Sequence, residues 1–259
     1  MLKKDRYNAA DLVTIVELLR LPGGCPWDRE QTHVSLRKDL IEETYEVIEA
    51  IDNEDPVLLR EELGDLLLQV VMHARIEEEA GRATFDEVAG DVCRKMIHRH
   101  PHVFGDTKAE TVGEVLQNWE SIKSEEKSRN TVTDKLNAIP RQLPALMRAA
   151  KVGKKAGVMD FPDADSALAK LREETREVEE ALGGANGEEI FEEIGDLLFS
   201  AANLARKAGV DPEEALVRAT DKFIRRFAAV EAAAEAEGSD LSALSQEKLD
   251  ELWEKIKKN

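Results

Sequence analysis

The amino-acid sequence predicts an all-α fold. Apolar residues recur at the 3.6-residue spacing of amphipathic helices along nearly every segment of the 259-residue chain. Almost no segment shows the sustained two-residue alternation that a half-buried β-strand requires. Hydrophobic residues make up 42% of the chain and charged residues 35%, a composition typical of a helix-rich globular protein and not of a disordered one.

Turn and breaker residues divide this helical pattern into segments. An amphipathic pattern covers the first 20 residues, and helical motifs begin again near residues 41, 61, 94 and 118. The separators LPGGCPWD (21–28), NEDP (53–56) and HPHVFGDT (100–107) are rich in Gly, Pro, Asn and Asp. Further along, helical motifs begin near 172, 192, 221 and 252, with GVMDFPDAD (157–165) and GGANG (183–187) as separators.

Two halves of the chain resemble each other. EELGDLLLQVVMHAR at 61 returns as EEIGDLLFSAANLAR at 192, and IEETYEVIEAI at 41 returns as REETREVEEAL at 172, so both motifs recur after 131 residues. RKMIHR at 94 likewise matches DKFIRR at 221, and NWESIK at 118 matches LWEKIK at 252. The sequence therefore predicts tandem copies of one helical-bundle module, residues 1–128 and 144–259, joined by a linker at 129–143.

Each copy carries the same acidic pattern, EExxE followed by ExxD. Residues three apart share a helix face, so the acidic residues Glu43 and Glu46 are expected beside an apolar stripe that faces the bundle, whereas Glu42 points away. The ExxD pair lies on a helix that is apolar nearly all round and is expected to be an interior helix. An unpaired carboxylate in such a place needs a cation or a proton.

A single EExxE motif on a helix is usually a solvated charged face. Here a second acidic pair lies on an apolar helix and the whole arrangement occurs twice, which favours a divalent-cation site. All-oxygen ligands without His or Cys favour Mg²⁺, with Mn²⁺ as a second possibility. The predicted metal ligands are Glu43, Glu46, Glu62 and Asp65 in the first copy and Glu174, Glu177, Glu193 and Asp196 in the second, and the second set is also the predicted catalytic set.

Magnesium sites with few carboxylates often complete their coordination with substrate phosphates, so a nucleotide is the natural substrate. Lys222, Arg225 and Arg226 share one helix face and can neutralise phosphate oxygens, although a solvated face is the alternative reading. The equivalent residues of the first copy are Lys95, His98 and Arg99, where the His is mostly neutral near pH 7. We therefore expect the second copy to hold a triphosphate better.

Composition excludes several functions. The chain carries 36 basic and 54 acidic residues, a net charge of −18, which argues against direct binding of nucleic acid or of an anionic membrane. No apolar run is long enough for a membrane span, and the first residues do not form a signal peptide. The two cysteines, Cys25 and Cys93, form neither a CxxC motif nor a dense framework, so a cytoplasmic location is expected. Cys25 and Trp27 are expected to be structural anchors.

These motifs together resemble those of the MazG-type nucleoside triphosphate pyrophosphohydrolases, a family within the all-α NTP pyrophosphatase superfamily. EExxE and ExxD are shared with all-α dUTPases and phosphoribosyl-ATP pyrophosphohydrolases, whereas the tandem copy and GCPWDREQTH ahead of the first copy make the narrower match specific. The resemblance covers essentially the whole chain. It implies Mg²⁺-dependent hydrolysis of an NTP to NMP and pyrophosphate in helical bundles completed by homodimerisation.

The resemblance also implies site residues. It assigns the second acidic set to the metal, Lys222, Arg225 and Arg226 to the triphosphate, and a position near the nucleotide to Trp253. The complete predicted nucleotide-binding set is Lys222, Arg225, Arg226, Trp253, Glu173, Phe161, Lys95, Arg99 and Lys123. Phe161 departs from the family pattern, since similar proteins read G-F-D-W where this chain reads GVMDF, so an altered base contact is expected.

Two alternatives remain open at this point. A narrow-specificity, dUTPase-like pyrophosphohydrolase would share the metal site but accept few bases. A non-catalytic acidic scaffold would use the −18 charge to bind a basic protein partner and would need no metal. Broad hydrolysis of nucleoside triphosphates, as a cleaning activity on the nucleotide pool, is the favoured hypothesis.

Overall fold

A computed structural model of the chain describes residues 3–126, 131–184 and 186–257. Within these ranges the secondary structure consists of helices and turns, with no strand, so the all-α prediction is confirmed. The chain divides into two compact units, residues 1–126 and 127–259. The predicted boundary between residues 128 and 129 falls outside the described residues. A short helix, Val132–Asn137, lies in the segment predicted to be a linker.

The first unit contains seven helices among its described residues. They are α1 (Ala9–Arg20), α2 (Pro26–Glu30), α3 (Arg37–Asp52), α4 (Pro56–Glu79), α5 (Phe85–Arg99), α6 (Pro101–Phe104) and α7 (Val112–Glu126). Helix α4 begins where Asp55 accepts hydrogen bonds from two backbone amides and Pro56 fixes the first turn. The three-residue connection from α3 makes this pair an antiparallel hairpin.

The second unit repeats this hairpin. Its helices are α8 (Val132–Asn137), α9 (Ala145–Ala156), α10 (Ala164–Gly184), α11 (Gly187–Lys207), α12 (Pro212–Ala236) and α13 (Gln246–Lys257), with 3₁₀ turns at Gly157–Met159 and Leu241–Ala243. Asn186 caps α11, and Asp211 with Pro212 begins α12 in the way that Asp55 and Pro56 begin α4. The α10–α11 hairpin therefore corresponds to α3–α4, as the internal repeat predicts.

Small apolar clusters hold each unit together. In the first unit Val16, Leu36, Val71 and Met72 are buried. In the second unit Val230, Ala234 and Leu252 are buried where α12 packs on α13, and Trp253 packs against them. Trp253 is therefore a packing residue.

The expectation that α4 is an interior helix is only partly correct. Val71 and Ala74 are buried, but Leu63 is 50% exposed and Leu67 and Val70 are also exposed. The stripe on α3 behaves similarly, because Ile41, Ile48 and Ile51 are exposed as well. The apolar surface of this hairpin is wider than the described part of its own unit covers.

Trp27 is not a buried anchor either. Its side chain is 62% exposed, although α2 itself is fixed by Arg20, whose guanidinium donates to the backbone oxygens of Asp28 and Gln31. The Trp packs poorly because α2 has only five residues and buries none of them. In the described ranges, no helix combines the length and apolar composition of a bilayer span.

Candidate active site

The α10–α11 hairpin brings carboxylates from both helices together. Carboxylate oxygens of Glu174, Glu177 and Glu193 all lie within 4.8 Å of one another. Glu174 and Glu177 lie on one face of α10 because they are three residues apart, and Glu193 reaches them from α11. Asp196, one turn after Glu193, is exposed and lies outside this group of three.

The first copy forms the equivalent cluster with a different third member. Glu43 of α3 lies with Glu62 and Asp65 of α4, with carboxylate oxygens again within 4.8 Å of one another. Glu46 is outside this set, but its side chain shares a hydrogen bond with Glu43. Each hairpin therefore gathers three of its four predicted ligands, and the fourth lies one turn away.

Burial and mutual repulsion raise the pKa of one carboxylate in each cluster, Glu193 and Glu43. Burial raises the pKa of Glu193, and the negative charges of Glu174 and Asp196 raise it further. Burial likewise raises the pKa of Glu43, with the charges of Asp65 and Glu46 next in size. A divalent cation at either cluster would relieve this repulsion.

The residues present fit a magnesium ion. Glu174 is only 4% exposed, and its Oε2 is buried without a hydrogen-bond partner in the described part of the chain. A buried, unpartnered carboxylate oxygen costs free energy, and a cation at the cluster would remove that cost. The donor set contains only oxygen, which Mg²⁺ and Mn²⁺ accept.

Lys170 is a member of the second cluster that the sequence analysis missed. Its Nζ lies 2.8 Å from Glu174 Oε1 and 2.8 Å from Glu173 Oε1. The hydrogen bond from Lys170 lowers the pKa of Glu173. Glu173 is thus directed to Lys170 and to solvent and is not part of the group of three. The i, i+4 spacing of Lys170 and Glu174 is the signal that could have identified this contact.

The predicted phosphate ligands lie on α12. Lys222 and Arg225 line a cleft of about 590 Å³ next to the start of this helix, together with Arg218. Arg226 is half-buried and does not line it. In the described residues, Lys222, Arg225 and Arg226 form no ion pair. Arg218, in contrast, pairs with Glu214. The face is therefore positively charged and available.

An aromatic cluster lies further along α12. The rings of Phe223 and Trp253 have centroids 5.2 Å apart, and Phe223 and Phe227 are 6.2 Å apart. These three rings line a second cleft of about 340 Å³. Such a surface can stack against a planar base, so the predicted position of Trp253 near a nucleotide is chemically reasonable and stays a prediction.

The basic residues of the first copy are arranged differently. Arg99 is 6% exposed, and its Nε donates to Glu126 Oε2 at 3.1 Å. Its guanidinium also lies 5.2 Å from the Trp119 ring. The predicted nucleotide ligand Arg99 is therefore an internal ion-pair residue in this structure, and a phosphate would have to displace Glu126. No local spacing predicts this contact, because the two residues are 27 positions apart.

Two other predicted ligands of the first copy lie nearer the solvent. Lys95 is exposed on α5. Lys123, on α7, lies 3.7 Å from Glu120 with about a third of its side chain exposed. A position for nucleotide binding remains a prediction for both.

Phe161 lies in the loop after α9, which an ion-pair network fixes. Asp160 accepts a hydrogen bond from Arg206 Nη1 at 3.1 Å and pairs with Lys207 Nζ at 2.8 Å. Arg206 in turn donates to Asn203 Oδ1 at 2.9 Å. Phe161, the adjacent residue, is half-buried. Its aromatic side chain therefore lies on a loop that the ion pairs of Asp160 hold in place.

We expect Asp160→Asn to destabilise the protein in a pH-dependent way. The hydrogen bond from Arg206, with Lys207 beside it, lowers the pKa of Asp160 from 3.8 to about 2. Because the folded-state pKa is lowered, this contribution is present above about pH 4 and is lost as pH falls towards 2. At pH 7 the free energy of unfolding should fall by about 1–2 kcal/mol.

Urea denaturation of wild type and variant at several pH values measures this effect. The difference should shrink as pH is lowered from 5 to 3. Asp221→Asn is the matched control, because Asp221 is exposed and forms no ion pair among the described residues. A difference for Asp160→Asn that stays constant over this pH range would contradict the ion-pair assignment.

Comparison with known proteins identifies the family. The model of the MazG nucleotide pyrophosphohydrolase domain matches residues 31–104 and again 163–230. The chain belongs to the MazG family. Each match contains one acidic hairpin, so both copies of the repeat are MazG domains.

Individual relatives agree with this assignment. The chain is 46% identical over 249 residues to the nucleoside triphosphate pyrophosphohydrolase/pyrophosphatase MazG of Thermotoga maritima, covering 95% of this chain and 94% of that protein. It is 42% identical over 254 residues to the nucleoside triphosphate pyrophosphohydrolase of Escherichia coli K12, covering 95% and 96%. It is also 45% identical to the uncharacterized protein YabN of Bacillus subtilis, with 94% of this chain matching 50% of that protein.

Proposed function

We propose that this protein hydrolyses nucleoside triphosphates, ribose and deoxyribose forms alike, to the monophosphate and pyrophosphate in a Mg²⁺-dependent reaction. Mn²⁺ is expected to replace Mg²⁺. The observation that carries the proposal is the second acidic cluster, in which buried Glu174 holds an unpartnered oxygen beside Glu177 and Glu193. This cluster lies inside a MazG domain, and the Thermotoga maritima and Escherichia coli relatives, which match nearly their whole length, are named for this activity.

The proposed metal ligands in the second copy are Glu174, Glu177, Glu193 and Asp196. A bound Mg²⁺ supplies charge that polarises phosphate oxygens and stabilises the transition state. Hydrolysis adds water across the bridge between the α- and β-phosphates. The water oxygen joins one phosphorus, the bridging oxygen leaves with the other, and a proton is released.

The chain's own residues orient the substrate and accept that proton. Lys222, Arg225 and Arg226 offer unpaired positive charge for phosphate oxygens outside the metal's reach. Glu174 or Glu177 is a better proton acceptor than Glu173, because Glu173 is exposed and lies outside the group of three carboxylates. The aromatic cleft at Trp253 offers a stacking surface for the base, which suits more than one base.

Product analysis tests this proposal. The protein is incubated with Mg²⁺ and each of the common NTPs and dNTPs, and the products are resolved by ion exchange. We expect NMP and pyrophosphate in equal amounts from substrates with several different bases. Formation of NDP and free phosphate would contradict α,β cleavage, and activity confined to dUTP would support the dUTPase-like alternative. The names of the relatives favour neither that alternative nor the acidic scaffold.

We further propose a homodimer, on the basis of apolar surface that each unit leaves exposed. Contiguous apolar patches of this kind on a monomer usually mark an interaction surface. On α3, Ile41, Tyr45 and Ile48 lie on one exposed face, and on α12 Leu216, Val217 and Ile224 are exposed outside the aromatic cleft. Closing such faces against a second copy is how short helical bundles complete their core.

Analytical ultracentrifugation tests the dimer. At micromolar concentration the protein should sediment with about twice the 28.9 kDa mass of the chain. Ile48→Glu, which places a charge on the exposed α3 face, should shift the protein towards the monomer, whereas Glu42→Lys, a charge change at an exposed position about 120° around the same helix, should not. Sedimentation of the wild type as a 28.9 kDa species would contradict the proposal.

A further inference from the structure

The two acidic clusters differ in one charge. In the second copy, Lys170 lies 2.8 Å from Glu174, one helical turn before it on α10. Among the described residues, no other cation forms an ion pair with any of the eight predicted metal ligands. The second cluster therefore contains its own positive charge, tethered by a lysine side chain that is 36% exposed.

The first cluster has the opposite charge at the equivalent position. The 131-residue shift that relates Glu43 to Glu174 also relates Asp39 to Lys170. Asp39 is half-buried and lies one turn before Glu43 on α3, so it adds negative charge to the face that carries the cluster. Its neighbours Glu43, Glu62 and Asp65 have no cationic partner in the part of the chain that the structure describes.

These charges have opposite effects on cation binding. A divalent cation at the second cluster must compete with Lys170 for Glu174, and it then lies near a positive charge. A cation at the first cluster displaces no internal cation among the described residues and gains from Asp39. At a few ångströms, charges that are partly exposed interact strongly enough to separate the two affinities by roughly tenfold.

We propose that Lys170 and Asp39 set unequal metal affinities, so that the first copy binds a divalent cation in the absence of nucleotide while the second copy binds it weakly until phosphates add negative charge. The inference rests on the proposed function for the identity of the metal. Under this proposal the first copy is occupied by metal before nucleotide binds, and the second copy binds metal together with its substrate.

Titration of the full-length protein with Mn²⁺ alone, by isothermal calorimetry, tests this assignment. Wild type should show two classes of site whose dissociation constants differ by roughly tenfold or more. Asp65→Asn should weaken the tighter class and Asp196→Asn the weaker class, which assigns each class to its copy. A single class of sites, with the same affinity for Mn²⁺ in both copies, would overturn the inference.

Reciprocal charge exchange is the sharper test. Lys170→Asp should tighten binding at the second copy by roughly tenfold, and Lys170→Met by a smaller factor. Asp39→Lys should weaken binding at the first copy by a similar factor. The matched controls are Arg176→Asp and Asp52→Lys, which make the same charge changes at exposed positions of the same two helices, and they should change either affinity about twofold or less.

The outcomes separate this inference from the proposed function. If Lys170→Asp and Arg176→Asp change Mn²⁺ binding equally, the inference is wrong, whereas the product analysis with nucleotide can still succeed. If wild type binds no Mn²⁺ without nucleotide, the proposal that the first copy binds metal independently of nucleotide is wrong as well. Circular dichroism of each variant confirms that it has folded, and Lys170→Met provides a milder substitution should Lys170→Asp fail to fold.

Discussion

Asp196→Asn is expected to remove most of the hydrolytic activity, on the order of 100-fold or more in rate, whereas Asp65→Asn should leave a large part of it. The substitution keeps the shape of the side chain and removes one negative charge from the metal-binding set. A loss of about 3 kcal/mol of transition-state stabilisation corresponds to a factor of this size. The two variants make the same chemical change at equivalent positions of the repeat.

The difference follows from the basic residues of each copy. In the second copy Lys222, Arg225 and Arg226 form no ion pair among the described residues. In the first copy the residue equivalent to Arg226 is Arg99, which is buried against Glu126 and Trp119. The second copy can therefore neutralise a triphosphate without breaking an internal contact.

Steady-state release of pyrophosphate by the two variants measures this division of labour. Each variant is first checked for its helical content and its sedimentation. Equal losses from both substitutions would indicate two equivalent sites, and a larger loss from Asp65→Asn would mean that the first copy carries the reaction.

Gly153→Ala should cause the largest loss of stability, about 2–4 kcal/mol in the free energy of unfolding. A Cβ at residue 153 would lie 1.7 Å from Oδ1 and 2.7 Å from Cγ of Asn203. Asn203 is 1% exposed, and its amide donates to the Phe199 carbonyl at 2.9 Å while its oxygen accepts from Arg206. The side chain cannot move aside without losing both hydrogen bonds.

The consequence should extend to the loop after α9, because Arg206 also holds Asp160. Urea denaturation at pH 7 gives the change in stability. Gly183→Ala is the matched control, since Gly183 is also helical and has open space around its Cα. That substitution should leave stability unchanged or raise it by up to about 1 kcal/mol. A Gly153→Ala variant as stable as Gly183→Ala would contradict the close packing of α9 on α11.

Much of the fold could be predicted from the sequence because helices and their acidic faces follow local spacing. The i, i+3 spacing put Glu174 and Glu177 on one face, and the 131-residue repeat predicted that Glu43 and Glu62 would form a matching hairpin. The structure brings three carboxylates of each hairpin together. Local periodicity is sufficient for such features because the interacting residues lie on adjacent helices with short connections.

Other features depend on packing that local spacing does not encode. Arg99 matched Arg226 in sequence, yet Glu126 takes up its charge from a helix 27 residues away. Leu63 lies in an apolar run but is half-exposed, because periodicity does not show whether a unit has enough helices to cover a face. Lys170 was not predicted because the repeated motifs contain only acids, whereas Lys170 lies at a position where the two copies differ in charge.

We propose that the second acidic cluster and the α12 basic face together hold a magnesium–nucleotide complex. Calorimetric binding of an α,β-methylene nucleoside triphosphate to wild type and to Asp196→Asn, each with and without Mg²⁺, tests it most directly. We predict saturable binding that requires Mg²⁺ and is weakened at least tenfold by Asp196→Asn. Binding that is independent of Mg²⁺, or that is unchanged in the variant, would contradict the claim.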